Sequence, residues 1–266
     1  MQRFTDQQYL TTDQYKDSAN LDARIAIHQK FSTNPQGWFN WVFDALVTLP
    51  ADANILELGC GAGTMWKECA DRIPAGWTIT LSDLSDGMLD SAWRNLVVTG
   101  RSFKFEKIDA QSISYADGAF DTVIANHMLY HVPDRKKALT EIKRVLKNGG
   151  CLIATTVGAN HMKEMYGWLR RVNKNPRPDM FTNPFTLESG LAQLQEVFPN
   201  VEKLQYVDNL RVTELEPLIN YIRSSISVED IFAPEFETLE KELSAVLKKD
   251  GEIFISKDSG LFKVLK

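Results

Sequence analysis

Between Asn54 and Thr156 the chain alternates short apolar runs with amphipathic segments, and this alternation restricts the fold more than any other feature. The runs are Ile55–Leu58, Trp77–Leu81, Phe103–Ile108, Phe120–Ala125 and Cys151–Thr156, each of strand length. The segments Thr64–Arg72, Asp86–Leu96 and Asp134–Leu146 have helical spacing. In the last, Ala138, Leu139, Ile142, Val145 and Leu146 make the buried stripe, and Asn148-Gly149-Gly150 is expected to end it at a left-handed cap. Strands joined by crossover helices predict an α/β fold with a doubly wound, mostly parallel sheet.

The flanks read differently. Residues 1–50 turn from polar to aromatic, with Trp38, Trp41, Val42 and Ala45 on one helical face after Pro35, which predicts an N-terminal helical arm or lid. Residues 51–158 form the core. Residues 159–266 are expected to complete the sheet with strands at Val201–Val207, Glu252–Ser256 and Leu261–Leu265. Helical inserts are expected at His161–Val172, around Leu187–Phe198, at Val212–Ser225 and at Pro234–Lys249, with a loop over Asn173–Pro184.

With 266 residues, 44% hydrophobic and 24% charged, the chain fits one elaborated globular domain and neither a disordered nor a fibrous class. A net charge of −5 offers no general attraction to a polyanion, so a nucleic-acid partner is disfavoured. Cys60, Cys69 and Cys151 form no C-x-x-C pair, the start lacks the layout of a secretion signal, and no stretch approaches the roughly 18 apolar residues of a membrane span. A soluble, cytoplasmic protein is the expectation.

The segment Asn54-Ile55-Leu56-Glu57-Leu58-Gly59-Cys60-Gly61-Ala62-Gly63-Thr64 runs from a strand through three glycines into a helix, a turn that lets backbone and unpaired helix N–H groups approach a ligand closely. A dinucleotide fingerprint would need glycine where Thr64 stands, which weakens a nicotinamide oxidoreductase reading. Asp83 ends the second run twenty residues past Gly63, where a carboxylate can accept both hydroxyls of a ribose. The plain alternative is a tight turn in which Glu57 is ion-paired and Asp83 caps a short turn.

These residues, together with Ser85-Asp86-Gly87-Met88-Leu89, Asp109-Ala110 before Phe120-Asp121, and Arg144-Val145-Leu146-Lys147-Asn148-Gly149-Gly150, resemble the class I S-adenosylmethionine-dependent methyltransferases, the small-molecule "type 11" or UbiE-like branch in particular. The resemblance covers about two-fifths of the chain, Asn54 to Thr156. It implies a Rossmann-like sheet of seven strands and S-adenosyl-L-methionine as cofactor. It also implies that Glu57, Gly59, Cys60, Gly61 and Gly63 form the cofactor turn and that Asp83 holds the ribose. Leu84 and Met88 would flank the adenine, with Asp109 and Ala110 at its amine edge. Met88 reads equally as helix core, and Asp109 as a solvated strand end.

Beyond the fourth run lie Asn126-His127-Met128-Leu129-Tyr130-His131, placed where an open α/β sheet binds its ligand. Asn126 is expected beside the cofactor. His127 and His131 are the candidates for removing a proton from the methyl acceptor, the alternative being that they bind loop carbonyls. From the arm, Tyr15 and then Arg24 are expected to meet the cofactor's methionine carboxylate, and the other arm and insert aromatics either line the pocket or anchor the arm. There is no H-E-x-x-H motif, so no metal is expected. The segment lacks the Asn/Asp-Pro-Pro-aromatic signature of base methylation; Asn183-Pro184-Phe185 reads as a loop turn. A small organic acceptor is the leading expectation, ahead of RNA or protein methylation and of a non-catalytic S-adenosylmethionine-binding module.

Overall fold

The computed structural model describes residues 3–173, 183–225 and 233–266. The strands β1 (Asn54–Leu58), β2 (Thr78–Asp83), β3 (Lys104–Lys107), β4 (Phe120–Asn126), β5 (Leu146–Val157), β6 (Asn200–Tyr206) and β9 (Ser259–Leu265) form one sheet in the order β3-β2-β1-β4-β5-β9-β6. Pairings from β3 through β5 are parallel, and β9 runs antiparallel between β5 and β6. The doubly wound α/β sheet expected from the alternation, with the seven strands that the resemblance implies, is the one observed. The chain builds outward from β1 to β3, then restarts at β4 on the other side of β1, which opens a crevice at the carboxyl ends of β1 and β4.

The helices α4 (Thr64–Glu68), α5 (Asp86–Leu96), α6 (Arg135–Val145) and α8 (Ser189–Gln195) cover the sheet. One face buries Leu56, Val123, Leu139 and Ile142; the other buries Ile55, Trp66, Leu81 and Ile153. Two local expectations are corrected. The helix after the glycine turn stops at Glu68, with Cys69 outside helical geometry and a separate turn of 3-10 helix at Ala70–Arg72. Helix α6 ends at Val145 rather than at a left-handed glycine, because Leu146 is extended, fully buried and paired with Phe120; Gly149 takes φ +76° three residues later, inside the irregular start of β5.

The two ends of the chain meet. After the short turns Arg3–Thr5, α1 (Gln7–Tyr9) and Leu10–Gln14 come α2 (Ala19–Phe31) and α3 (Trp38–Asp44). Helix α3 packs on the sheet through Val42 and Phe43, and the turn after it through Leu46. Helix α2 instead joins a separate apolar cluster, in which Ile27 and Phe31 meet residues of α7 (Lys163–Val172), α9 (Leu215–Ser224), α10 (Ala233–Asp250) and a two-stranded sheet of β7 (Asn209–Val212) with β8 (Ile253–Ser256). The helix expected at Val212–Ser225 starts at Leu215 instead, because Val212 is the last residue of β7 and is buried with Leu210 in that cluster. Of the expected loop Asn173–Pro184, only the ends fall within the described residues; there the Asn183 side chain accepts from the Phe185 N–H (2.9 Å), the local turn expected at this Pro.

Candidate active site

Beyond β1 the backbone enters the left-handed region at Gly59 (φ +64°) and Gly61 (φ +54°). A Cβ on Gly59 would stand 2.7 Å from Cβ of Met128, and one on Gly61 would stand 2.8 Å from Cδ2 of Leu21, so only glycine fits this turn. The turn is tied to β2: Cys60 N–H donates to the Ser82 carbonyl (2.8 Å) and Gly61 N–H to Oδ2 of Asp83 (3.0 Å). Oδ1 of Asp83 accepts from Ser85 N–H (2.9 Å), which fixes the carboxylate while leaving lone pairs free. Burial raises the Asp83 pKa against these backbone hydrogen bonds. Glu57 is buried beneath the turn and accepts the Trp66 indole N–H (2.5 Å); burial pushes its carboxyl up to about 8 despite that bond.

A single cavity of about 830 Å³ spans this turn, β2, β4 and the arm. Glu57, Gly59, Cys60, Gly61, Asp83 and Leu84 line it, as do Met88, Asp109, Ala110 and Asn126. Gly63 is the exception among the expected turn residues: it lies outside the lining, at the start of α4, and a Cβ there would stand 2.9 Å from Cδ1 of Leu96. Its glycine serves the approach of α4 to α5. Met88 is at once helix core and cavity wall, with 1% of its surface exposed. Asp109 is not a free strand end; both its oxygens accept from Gln111.

The arm closes over the same cavity. Ser85 Oγ donates to the Tyr15 carbonyl (2.6 Å), and the Lys16 carbonyl sits so close to Gly87 that a Cβ there would be 1.8 Å away. Tyr15 and Arg24 both line the cavity. Nη1 of Arg24 approaches the Tyr15 hydroxyl (3.4 Å), its guanidinium lies 5.2 Å from the Tyr15 ring centre, and its Nη2 is buried without a hydrogen-bond partner.

His131 lies 2.8 Å from the Phe4 carbonyl through Nδ1 and 2.9 Å from the Tyr15 hydroxyl through Nε2. A carbonyl only accepts, so Nδ1 carries the hydrogen and Nε2 takes the Tyr15 proton as acceptor. Both ring nitrogens are therefore engaged by the arm. His127 adopts φ +52°, a backbone region that a non-glycine residue enters at a cost. It is held there by its N–H to Oγ1 of Thr155 (2.9 Å), which in turn donates to Oδ1 of Asn126 (2.6 Å). Burial lowers both histidines to about 4, so both are neutral near pH 7.

All four histidines of the chain line this cavity, a convergence their sequence positions do not announce. His28 and Trp38 come from the arm, and His161, Tyr221 and Lys257 from the C-terminal inserts. Of the other aromatic and sulfur residues considered for the lid, Phe31 and Met165 belong to the cap core, Trp168 packs against it, and Tyr206 packs against Trp38 and Trp41. Tyr9 reaches Gln14 instead (3.3 Å). Sequence reasoning missed Lys257 and its partner Asp208, both buried. Asp208 also accepts from Ser32 Oγ (2.5 Å) and the N–H groups of Thr33 and Asn34 (2.9 Å each), pinning the end of α2 to the insert. The only local hint was a lysine in a turn.

Among the described residues no cluster of three or more His, Cys, Asp or Glu is arranged for a metal, and no helix is long and apolar enough to cross a membrane. A glycine turn with a fixed carboxylate at the next strand end, beside a cavity that Leu84 and Met88 also line, has groups able to hold a nucleoside-bearing ligand.

Comparisons agree with this geometry. Residues 56–154 match the family model described as a methyltransferase domain. The chain is 35% identical over 120 residues to a malonyl-[acyl-carrier protein] O-methyltransferase of Legionella pneumophila, covering 43% of this chain and 40% of the relative. It is 32% identical over 122 residues to a ubiquinone biosynthesis O-methyltransferase of Dechloromonas aromatica, covering 46% and 50%. The chain thus spans about half the length of these curated relatives. In solved structures, the [4+2]-cyclase SpnF aligns with a TM-score of 0.61 at 20% identity over 98% of this chain and 94% of its own. Phosphoethanolamine N-methyltransferase 2 of Haemonchus contortus, in complex with S-adenosyl-L-methionine, aligns with a TM-score of 0.59 at 17% identity, covering 99% and 60%. Those likenesses show the fold, and the sequence match shows that residues 56–154 are similar to a methyltransferase domain.

Proposed function

We propose that this chain transfers a methyl group from S-adenosylmethionine to a small organic acceptor held in the cavity beneath the arm. The observation that carries the reading is that the glycine turn, Asp83, the Asn126-His127 corner and the arm residues Tyr15 and Arg24 all border one space. When bound, the cofactor supplies a methyl carbon already activated by its sulfonium. The chain's own work is then alignment, which can lower a barrier by about 7–11 kcal/mol.

In this reading Asp83, fixed by Gly61 and Ser85, accepts the two ribose hydroxyls. Leu84 and Met88 clasp the adenine, with Asp109 and Ala110 at its edge. Gly59, Cys60 and Gly61 let the methionine portion pass close to backbone, with Glu57 supporting the turn from below. The unpartnered Nη2 of Arg24, beside Tyr15, receives the methionine carboxylate. Asn126, oriented by Thr155, and His127 border the point of transfer.

Proton removal has two routes. His127 acts directly, or His131 acts through the Tyr15 hydroxyl that already points its hydrogen at Nε2. The arm over the cavity supports a small acceptor rather than RNA or protein, which would need an open groove. The O-methyltransferase relatives support an oxygen nucleophile. Calorimetric titration with S-adenosylmethionine and S-adenosylhomocysteine, followed by a labelled-methyl screen of small metabolites, tests the reading. Saturable binding of both and label in a small product are expected; absence of binding ends it.

A further inference from the structure

The half of the cavity away from the glycine turn has a distinct chemistry. The acidic residues lining the cavity are Glu57, Glu68, Asp83 and Asp109, all on the sheet side around the glycine turn and the ends of β2 and β3. Among the described residues, the far wall formed by His28, Trp38, His127, His161, Tyr221 and Lys257 includes no carboxylate. Asp208, the counter-ion of Lys257, is not part of the lining, so of that pair only Lys257 borders the cavity.

Two polar atoms of this wall are buried with no partner: Nε1 of Trp38 and Nδ1 of His28. The first is a donor only, and the second becomes one by choice of tautomer. Burial and the neighbouring Lys257 charge hold His28 well below its usual pKa and hence neutral. Buried donors left unsatisfied are costly, so a wall that keeps two of them beside the Lys257–Asp208 pair, with no carboxylate of its own, is arranged for acceptor atoms carried by the occupant. The wall is contiguous: the Trp38 ring is 5.1 Å from His127, and His28 is 6.4 Å from His161.

We infer that the methyl acceptor is an anion whose oxyanion group is received by Trp38 Nε1 and His28 Nδ1 near Lys257, with the rest of the molecule against the aromatic wall. The inference rests on the methyltransferase reading and narrows its acceptor to small carboxylates or phosphomonoesters. Arg24 is left to the cofactor.

The test uses four probes with one aryl body: benzoate, phenyl phosphate, benzylamine and benzyl alcohol. Each is titrated calorimetrically into the full chain, both ligand-free and saturated with S-adenosylhomocysteine. Benzoate or phenyl phosphate is expected to bind at least about tenfold more tightly than the amine and the alcohol, as charge-assisted hydrogen bonds to buried donors require. Whichever of the two anions binds better identifies the carboxylate or the phosphate class. Trp38→Phe removes only the N–H, and His28→Phe keeps the ring's bulk; each should weaken the anion about tenfold and leave S-adenosylhomocysteine within about twofold. Equal or tighter binding of benzylamine or benzyl alcohol, no saturable anion binding, or anion binding unchanged in both variants overturns the inference. Loss of S-adenosylhomocysteine binding by the wild type would instead strike the methyltransferase reading, and the ligand-free titrations keep the two outcomes apart.

Discussion

Replacing Asp83 by Asn tests the core of the cofactor assignment with almost no change in shape. In the ligand-free protein the carboxylate accepts from Gly61 N–H (3.0 Å) and Ser85 N–H (2.9 Å). An amide keeps one accepting oxygen but turns an NH2 toward the other donor, which costs up to about 1.5–3 kcal/mol for a bond to a charged group. Burial has already raised the Asp83 pKa, so removing the charge recovers part of its desolvation cost, and the net loss should fall near 1–2 kcal/mol. For a chain of this size that is a lowering of melting temperature by roughly 2–8 °C. The cofactor loses more. Two ribose hydroxyls that donated to a charged acceptor now meet a neutral group offering one oxygen, a loss of about 3 kcal/mol, or roughly a hundredfold in Kd. Calorimetry with S-adenosylmethionine gives the second number and differential scanning fluorimetry the first. A Kd within about threefold of wild type would remove Asp83 from the ribose contact and undo the reasoning.

Glu57, raised to about 8 from an ordinary value of 4.5, stays protonated in the folded protein while the unfolded chain ionises, so stability should fall as pH rises through that interval. The Glu57→Gln variant is therefore expected to melt like wild type at pH 5 and several degrees above it at pH 8; an equal difference at both pH values refutes the buried-acid account. His127 and His131, lowered to about 4 from 6.5, act with the opposite sign, costing stability as pH falls below 6.5, so the wild-type melting temperature should peak near pH 6.5. Gly87→Ala would set a Cβ against the Lys16 carbonyl, an overpacking of about 1–3 kcal/mol directed at the arm. Faster proteolysis within residues 1–31 and weaker cofactor binding are expected, and an unchanged digestion pattern would show that the arm does not close there. Tyr15→Phe removes the O–H that donates to His131 Nε2; if the proton leaves through that pair, kcat should fall by about 10²-fold while the cofactor Kd changes far less, and unchanged turnover would favour His127.

The half of the cavity around the glycine turn was legible because its signals are local. Gly59 and Gly61 stand in a turn where any Cβ would strike Met128 or Leu21, and Asp83 sits at the end of a strand that pairs in register with β1, Leu58 opposite Ser82. Gly63 has a left-handed backbone like its neighbours, but it lies outside the cavity lining, and what excludes its side chain is Leu96, from the next helix. Gly149 likewise has the backbone of a helix cap, but Leu146 had already left the helix to pair with Phe120.

What the sequence determined by itself is the sheet core and the crevice at its carboxyl edge, since strand period, helix period and the chirality of crossover connections act over a few tens of residues and leave little choice of topology. The part of the cavity walled by the arm and the C-terminal inserts belongs to the tertiary structure alone. His28 meets His161, Tyr15 meets His131, and Asp208 ties Ser32 to Lys257, across sequence separations of 116 residues for the Tyr15 pair and 176 for the Ser32 pair. No periodicity encodes such pairings. They follow from α2 burying Ile27 and Phe31 against the C-terminal inserts, which brings both ends of the chain together over the carboxyl edge of the sheet.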